Sequence, residues 1–135
     1  MSAEQLLSSV PNTDAIIVAD LEAGIGTLTR LPDASVDTTL VVVEPTPRSI
    51  DVAKRAVLAA TDRQQGSVTV IANKVADAED ADRIRHEFVD QTVFVVPHDV
   101  TVIDADRQGR SAVDLQPESP AVLALRSIAH QLADA

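Results

Sequence analysis

The sequence predicts an α/β fold, in which a mostly parallel sheet is flanked by helices. Four short apolar runs are rich in β-branched residues and do not alternate with polar residues, as is typical of strands buried on both faces. Helical patterns of apolar residues separate the later runs and follow the last one. We therefore expect residues 1–135 to form a single domain with an aliphatic core, since only two residues are aromatic.

The four apolar runs are predicted as strands, and a short helix is expected over Glu4–Val10, before the first of them. Branched β-carbons favour extended backbone and dominate the runs. None of the runs has a polar face, so all four are expected to be buried in one parallel sheet. The predicted strands are Ala15–Ala19, Thr39–Val43, Val68–Ala72 and Thr92–Val96.

Three helices are predicted after the second, third and fourth strands. Thr46 can cap the first and Asp77 the second, while Ser119 followed by Pro120 opens the last. Apolar residues at helical spacing mark the inward face of each helix. These residues are Ile50, Ala53, Val57 and Ala60 in the first, Ala81, Ile84 and Phe88 in the second, and Leu125, Ile128, Ala129 and Leu132 in the last.

The composition excludes several classes of function. A net charge of -10 argues against nucleic acid or an anionic membrane as the main partner. No apolar stretch is long enough to span a bilayer and no secretory signal is visible, so a cytoplasmic protein is expected. The absence of cysteine excludes disulfides, zinc thiolates and thiol nucleophiles. An acidic, lysine-poor surface also suits high salt, and that interpretation stays open.

An aspartate and a glycine follow the first predicted strand. Asp20 comes directly after Ala15–Ala19, and Gly24 lies four residues further on. In a nucleotidase, such an aspartate accepts hydrogen bonds from waters on Mg²⁺, and the glycine offers its backbone N–H to the γ-phosphate. An ordinary strand-to-loop turn with an aspartate cap would explain the same residues.

Two further polar groups come at the ends of the third and fourth strands. Asn73 can hydrogen-bond the edge of a purine, and the stem of Lys74 can pack along the base. The alternative is a turn residue followed by a solvated lysine. The last strand ends in Pro97-His98-Asp99, at the carboxyl edge where ligands bind in open α/β sheets. Glu44 falls near the same edge, but nothing in the sequence suggests acid–base work by it.

The order of these motifs resembles that of the MinD/ParA-like P-loop ATPases, and within them the CooC type, the accessory ATPases of carbon monoxide dehydrogenase maturation. The motifs are Asp20-Leu-Glu-Ala-Gly24, Glu44-Pro45, Asn73-Lys74-Val75 and Pro97-His98-Asp99. The resemblance runs from Asp14 to Leu132 and covers the C-terminal half of that family's domain. It implies a truncated P-loop NTPase fold of the Rossmann-like three-layer type.

The resemblance also implies ATP binding, with dimerisation over two nucleotides and hydrolysis coupled to a partner or to metal delivery. It assigns the catalytic Mg²⁺ switch, through a water on the metal, to Asp20 and the γ-phosphate contact to Gly24. Contacts to or beside the adenine are implied for Asn73, Lys74, Pro97, His98 and Asp99.

Two departures from the family pattern matter. The 19 residues before Asp20 contain no G-x-x-x-x-G-K-[ST] phosphate-binding loop, and the chain lacks the cysteine pair with which CooC-type proteins bind nickel. ATP and Mg²⁺ are therefore expected only if another chain supplies the P-loop. In the family, the P-loop strand lies between the strands matching Ala15–Ala19 and Thr39–Val43. We expect the resulting gap to be closed by direct pairing, by a borrowed strand or by self-association.

Three hypotheses follow. The chain is half of an ATPase with a nucleotide-linked regulatory or maturation role, completed by a separate P-loop-bearing chain or taken from a longer one. The expected partner is that chain or, in a homo-oligomer, a second copy of this one. Alternatively, it is a degenerate, non-catalytic α/β module for binding or oligomerisation. A flavodoxin or receiver domain is the third, although the acidic cluster and phosphorylatable aspartate of receivers do not match this order. ATP turnover by the chain alone is not expected.

Overall fold

The computed structural model describes residues 14–21, 36–63 and 66–134. Strands and helices alternate along these residues, which confirms the predicted α/β fold. The strands are β1 (Thr38–Val43), β2 (Ser67–Val75) and β3 (Thr92–Pro97); the helices are α1 (Pro47–Asp62), α2 (Ala78–Glu87), α3 (Val100–Arg107), α4 (Ala112–Leu115) and α5 (Pro120–Ala133). No helix in these ranges is both long and apolar enough to cross a lipid bilayer.

The three strands form one parallel sheet in the order β1-β2-β3. In the register, Val41 pairs with Val70, and Val70 pairs with Val93. The second, third and fourth predicted strands are thus confirmed. Because all three strands run in the same direction, the residues that follow them meet at one edge of the sheet.

The first predicted strand is wrong. Ala15–Ala19 lies within the described residues but forms no strand, and the exposed fractions of Ile16, Ile17 and Val18 are 76%, 51% and 85%. Apolar content predicts a buried strand only where other elements cover it, and here the side chains are largely uncovered. The predicted helix Glu4–Val10 lies outside the described residues.

Helices α1 and α2 cover the first face of the sheet and bury a continuous aliphatic core. All seven inward residues predicted for these two helices are buried, as are alternate residues of β1 and β2. The core on this face comprises Val41, Val43, Ile50, Ala53, Val57, Val70, Ala72, Val75, Ala81, Ile84 and Phe88.

On the second face, α5 packs over β2 and β3. A smaller core forms there from Ile71, Val96, Ala121 and Ile128. The predicted inward face of α5 is wrong at Leu125 and Ala129, which are exposed although they lie at helical spacing from the buried residues Ala121, Val122 and Ile128. On the part of this face that belongs to β1, Leu40 and Val42 are exposed.

Candidate functional site

A cavity of about 300 Å³ lies on the second face, at the carboxyl edge of the sheet. Its apolar lining comes from all three strands and from α3 and α5, and includes Val42, Ile71, Val96, Val102, Ile103 and Leu125. Its polar lining comprises Asn73, Lys74, His98 and Asp99, and Pro97 lies next to His98 in the same wall. Five of the seven residues predicted for the site are therefore brought together around one cavity, while their roles stay predictions.

A β-bulge explains how two successive residues of β2 reach the same cavity. Ala72 pairs with Val95 and Val75 with Pro97, so Asn73 and Lys74 together oppose one residue of β3. In a regular strand, neighbouring side chains point to opposite faces. The extra residue of the bulge changes this alternation, and both side chains line the cavity.

Lys74 has an unusual backbone and a close ionic partner. Its φ of 56° is the only positive φ of a non-glycine residue in the described ranges. Its Nζ lies 2.6 Å from Oε1 of Glu44, which follows β1. The backbone N–H of Glu44 donates to Oγ of Ser49 in the first turn of α1, at 2.9 Å. The ion pair therefore links the ends of β1 and β2.

The carboxamide of Asn73 has unused hydrogen-bonding capacity. Asn73 is half-buried, and its side chain makes no hydrogen bond with another residue of the described ranges. An amide presents two N–H donors and an acceptor oxygen side by side. Such a group can read the edge of a heterocyclic base that enters the cavity.

The carboxylate of Asp99 connects two helices. Its Oδ1 accepts from the backbone N–H of Thr101 at 2.9 Å, and its Oδ2 accepts from that of Ala121 at 3.0 Å. It thus caps α3 and also binds the first turn of α5. The N–H of Ala121, with that of Thr101, lowers the pKa of the Asp99 carboxyl to about 2. Because both oxygens are engaged, the geometry gives Asp99 a part in building the cavity wall.

Pro97 and His98 continue that wall. Pro97 is half-buried and pairs with Val75, while the backbone N–H of His98 donates to the carbonyl oxygen of Val75 at 2.9 Å. The imidazole of His98 is exposed at the rim of the cavity. The backbone of this segment is therefore fixed, and its histidine is accessible to a ligand.

The predicted Mg²⁺ switch is not assembled in the described structure. Asp20 is exposed and is not among the residues that line the cavity, and Gly24 lies outside the described residues. The described residues also contain no group of three His, Asp or Glu side chains placed to hold a metal ion. The catalytic and metal roles of Asp20 stay predictions.

The sequence missed two parts of the site. Glu44 was placed at the correct edge, but its pairing with Lys74 is set by the neighbouring strand and has no local signal. The apolar wall from α3 and α5 was also missed, because Leu125 was assigned to the core. The sequence carried no signal for it, because Leu125 lies at helical spacing from the buried residues Ala121 and Ile128.

No protein-family model matches the chain. Two relatives are proteins of Methanocaldococcus jannaschii, each described as an uncharacterized ATP-binding protein. One is 34% identical over 100 residues, which cover 72% of this chain and 39% of the relative. The other is 31% identical over 133 residues, which cover 96% of this chain and 50% of the relative. The chain thus spans half or less of the length of these two relatives.

A solved structure shares the fold. A chain of the MinC:MinD cell division protein complex of Aquifex aeolicus superposes with a TM-score of 0.60 and 22% identity, covering 73% of this chain and 43% of that one. At this identity the match is evidence of fold alone. The comparisons therefore give similarity in sequence to two proteins described as ATP-binding and similarity in fold to a chain of the MinC:MinD complex.

Proposed function

We propose that this chain provides the base-binding part of an adenine-nucleotide site, and that a P-loop-bearing partner chain supplies the phosphate-binding part. The observation that carries the proposal is the cavity itself. An unsatisfied carboxamide from Asn73 and the stem of Lys74 stand beside an apolar lining, at the edge of a parallel sheet where ligands bind. The ATP-binding description of the two relatives supports adenine as the base.

The size of the cavity favours a base or nucleoside. Ligand cavities in proteins range from about 300 to 1,000 Å³, so a volume of about 300 Å³ is at the lower end. The lining matches a flat ring system. Its apolar side chains can cover the faces of the ring, and its polar groups can hydrogen-bond one edge. The triphosphate would extend beyond it.

The lining offers little to phosphates. Lys74 and His98 are its basic side chains, and Lys74 is already paired with Glu44. Phosphates are usually held by successive backbone N–H groups and a lysine, as in a P-loop. We therefore propose that ATP and Mg²⁺ bind with full affinity only in a complex that supplies those groups. Asp20 and Gly24 would then act on Mg²⁺ waters and the γ-phosphate.

The biological role proposed for this complex is nucleotide-linked regulation or maturation of a client protein, as the CooC-type resemblance implies. Nickel delivery through a cysteine pair is not part of the proposal, because the chain has no cysteine.

The proposal is tested by titrating the isolated chain with adenosine, ADP and Mg-ATP, followed by amide chemical shifts. We expect binding in the millimolar range, shifts centred on Asn73 and His98, and similar affinities for the three ligands. Asn73→Ala should weaken adenosine binding about tenfold, the loss expected when a base-specific hydrogen-bonding pair is removed. Gln108→Ala, an exposed amide away from the cavity, is the control.

Two results would count against the proposal. Adenosine binding that is absent, or equal in the wild type and Asn73→Ala, would remove the base site. Sub-micromolar binding of Mg-ATP by the chain alone would instead contradict the need for a phosphate-binding partner.

A second candidate is a non-catalytic oligomerisation module. It is favoured by the open side of the second face, where Leu40 and Val42 of β1 are 43% and 61% exposed. Sedimentation equilibrium would then show self-association that Val42→Ser weakens. Leu58→Ser on α1, where Leu58 is 63% exposed, is the matched control. A monomer at high concentration, or an equal effect of the two substitutions, would reject this candidate.

A further inference from the structure

We propose that Glu44 is a positioning residue for the base-binding cavity. Its carboxylate holds the ammonium group of Lys74, so that the aliphatic stem of Lys74 forms one wall of the cavity. This inference rests on the proposed function, because the wall matters only if a flat ligand lies against it. Glu44 does not itself line the cavity, so it acts through Lys74.

Glu44 is held at both its carboxylate and its backbone N–H. Oε1 of Glu44 lies 2.6 Å from Nζ of Lys74, the length of a short charge-assisted hydrogen bond. The backbone N–H of Glu44 is held at 2.9 Å by the hydroxyl of Ser49, at the start of α1. Glu44 is therefore fixed from its backbone side and can fix the lysine that it contacts.

The backbone of Lys74 lies in the left-handed region. Glycine adopts a φ of 56° without a steric penalty, whereas a lysine is strained there. The bulge that produces this φ is also what brings residues 73 and 74 to the same cavity. A lysine in a conformation suited to glycine indicates that the site uses its side chain.

The Lys74–Glu44 ion pair contributes little to the stability of the fold. Lys74 is 59% exposed and Glu44 is 43% exposed, and pairs this exposed contribute little to stability. A second Lys–Glu pair, Lys54–Glu87, has the same 2.6 Å separation and similar exposure, but joins α1 to α2 away from the cavity. The two pairs differ in position, so the specific consequence of the Glu44 pair is where the stem of Lys74 lies.

The first measurement does not require a ligand. The chain contains two lysines, Lys54 and Lys74, so labelling with ¹³C-lysine gives two ε-carbon signals. We expect Glu44→Gln to increase the mobility of the Lys74 ε-carbon, measured by ¹³C relaxation, and to leave Lys54 unchanged. Glu87→Gln should do the reverse. Equal Lys74 relaxation in the wild type and Glu44→Gln would overturn the inference.

The second measurement is adenosine affinity, by chemical-shift titration. Glu44→Gln should weaken binding about three- to tenfold, and Glu87→Gln should leave it unchanged. Lys74→Met keeps an apolar stem but removes the ammonium group. In that background, Glu44→Gln should have no further effect, because the carboxylate then has no lysine to hold.

The outcomes separate this inference from the proposed function. If the wild type does not bind adenosine, the base site fails, and the relaxation data alone decide whether Glu44 positions Lys74. If adenosine binds but Glu44→Gln and Glu87→Gln change its affinity equally, the base site stands and the role of Glu44 is overturned. An additive effect of Glu44→Gln in the Lys74→Met background would also overturn it, because Glu44 would then act by another route.

Discussion

In the described part of the chain, α1 and α2 pack on the first face of the sheet over β1 and β2, whereas on the second face α5 packs over β2 and β3 and β1 is exposed. The difference is visible within one strand: Val43 faces α1 and is fully buried, while its neighbour Val42 faces the open side and is 61% exposed. The two faces have similar apolar residues, so coverage by helices and not composition sets them apart.

The open face is also where the candidate site lies. Val42 and Leu125, both exposed, line the cavity together with the polar residues at the ends of β2 and β3. A fully packed face has no room for a ligand, because protein interiors are close-packed. The packed first face therefore contributes most of the stability of the fold, and the second face has the room to bind a ligand.

The largest expected difference in stability is between two helix truncations, one on each face of the sheet. Ile84 of α2 is fully buried, whereas Leu125 of α5 is 47% exposed, and both side chains have four carbons. We expect Ile84→Ala to lower the free energy of unfolding by about 2–5 kcal/mol, because it leaves a cavity in the core. Leu125→Ala should lower it by less than about 1 kcal/mol.

Urea unfolding, followed by circular dichroism, measures both values. The assignment of stability to the first face fails if the two substitutions have equal effects. Leu125→Ala should change adenosine binding more than Ile84→Ala does, provided that both variants are folded under the conditions of the titration.

A smaller effect is expected from the two adjacent valines of β1. Val43→Ala removes two fully buried methyl groups, which at about 0.8 kcal/mol per group lowers the free energy of unfolding by roughly 1.6 kcal/mol or more. Val42→Ala removes the same atoms from the open side and should cost less than about 0.5 kcal/mol. Thermal unfolding of both variants tests the prediction. A large loss for Val42→Ala would mean that another part of the chain covers this face.

Local patterns predicted the first face well. In α1, the spacing of Ile50, Ala53, Val57 and Ala60 identified all the residues that the helix buries, because one helix packing on one sheet face follows its own period. The same reasoning failed for Ala15–Ala19. Its apolar residues show that it can form a buried strand, but burial depends on covering elements that lie elsewhere in the chain or in another one.

The candidate site was predicted in part, for a similar reason. Residues after parallel strands share an edge by topology, so Asn73 and His98 could be placed near each other before the structure was known. The bulge could not be predicted, because Lys74 carries no sequence signal for a positive φ. The contact of Asp99 with Ala121 spans 22 residues, and only the tertiary fold brings the two together.

The smallest expected difference concerns helix caps on the two faces. Asp77 caps α2, on the first face, through one backbone N–H, that of Asp80. Asp99 accepts two, from α3 and α5, beside the second face. At pH 7, Asp77→Ala should lower the free energy of unfolding by about 1 kcal/mol, and Asp99→Ala should lower it further, because two backbone N–H groups then lose their acceptor.

The pH dependence of the free energy of unfolding shows whether Asp99 stabilises the fold through its ionised carboxylate or through packing. The folded-state pKa of Asp99, about 2, lies below the unfolded value of about 3.9, so its ionised form stabilises the fold. The contribution is complete above about pH 5 and is lost as the pH falls through 4 towards 2. The gap in stability between the wild type and Asp99→Ala, measured by urea unfolding, should therefore narrow over that interval. A gap that stays constant to pH 2 would show that Asp99 stabilises the second face by packing and not by its charge.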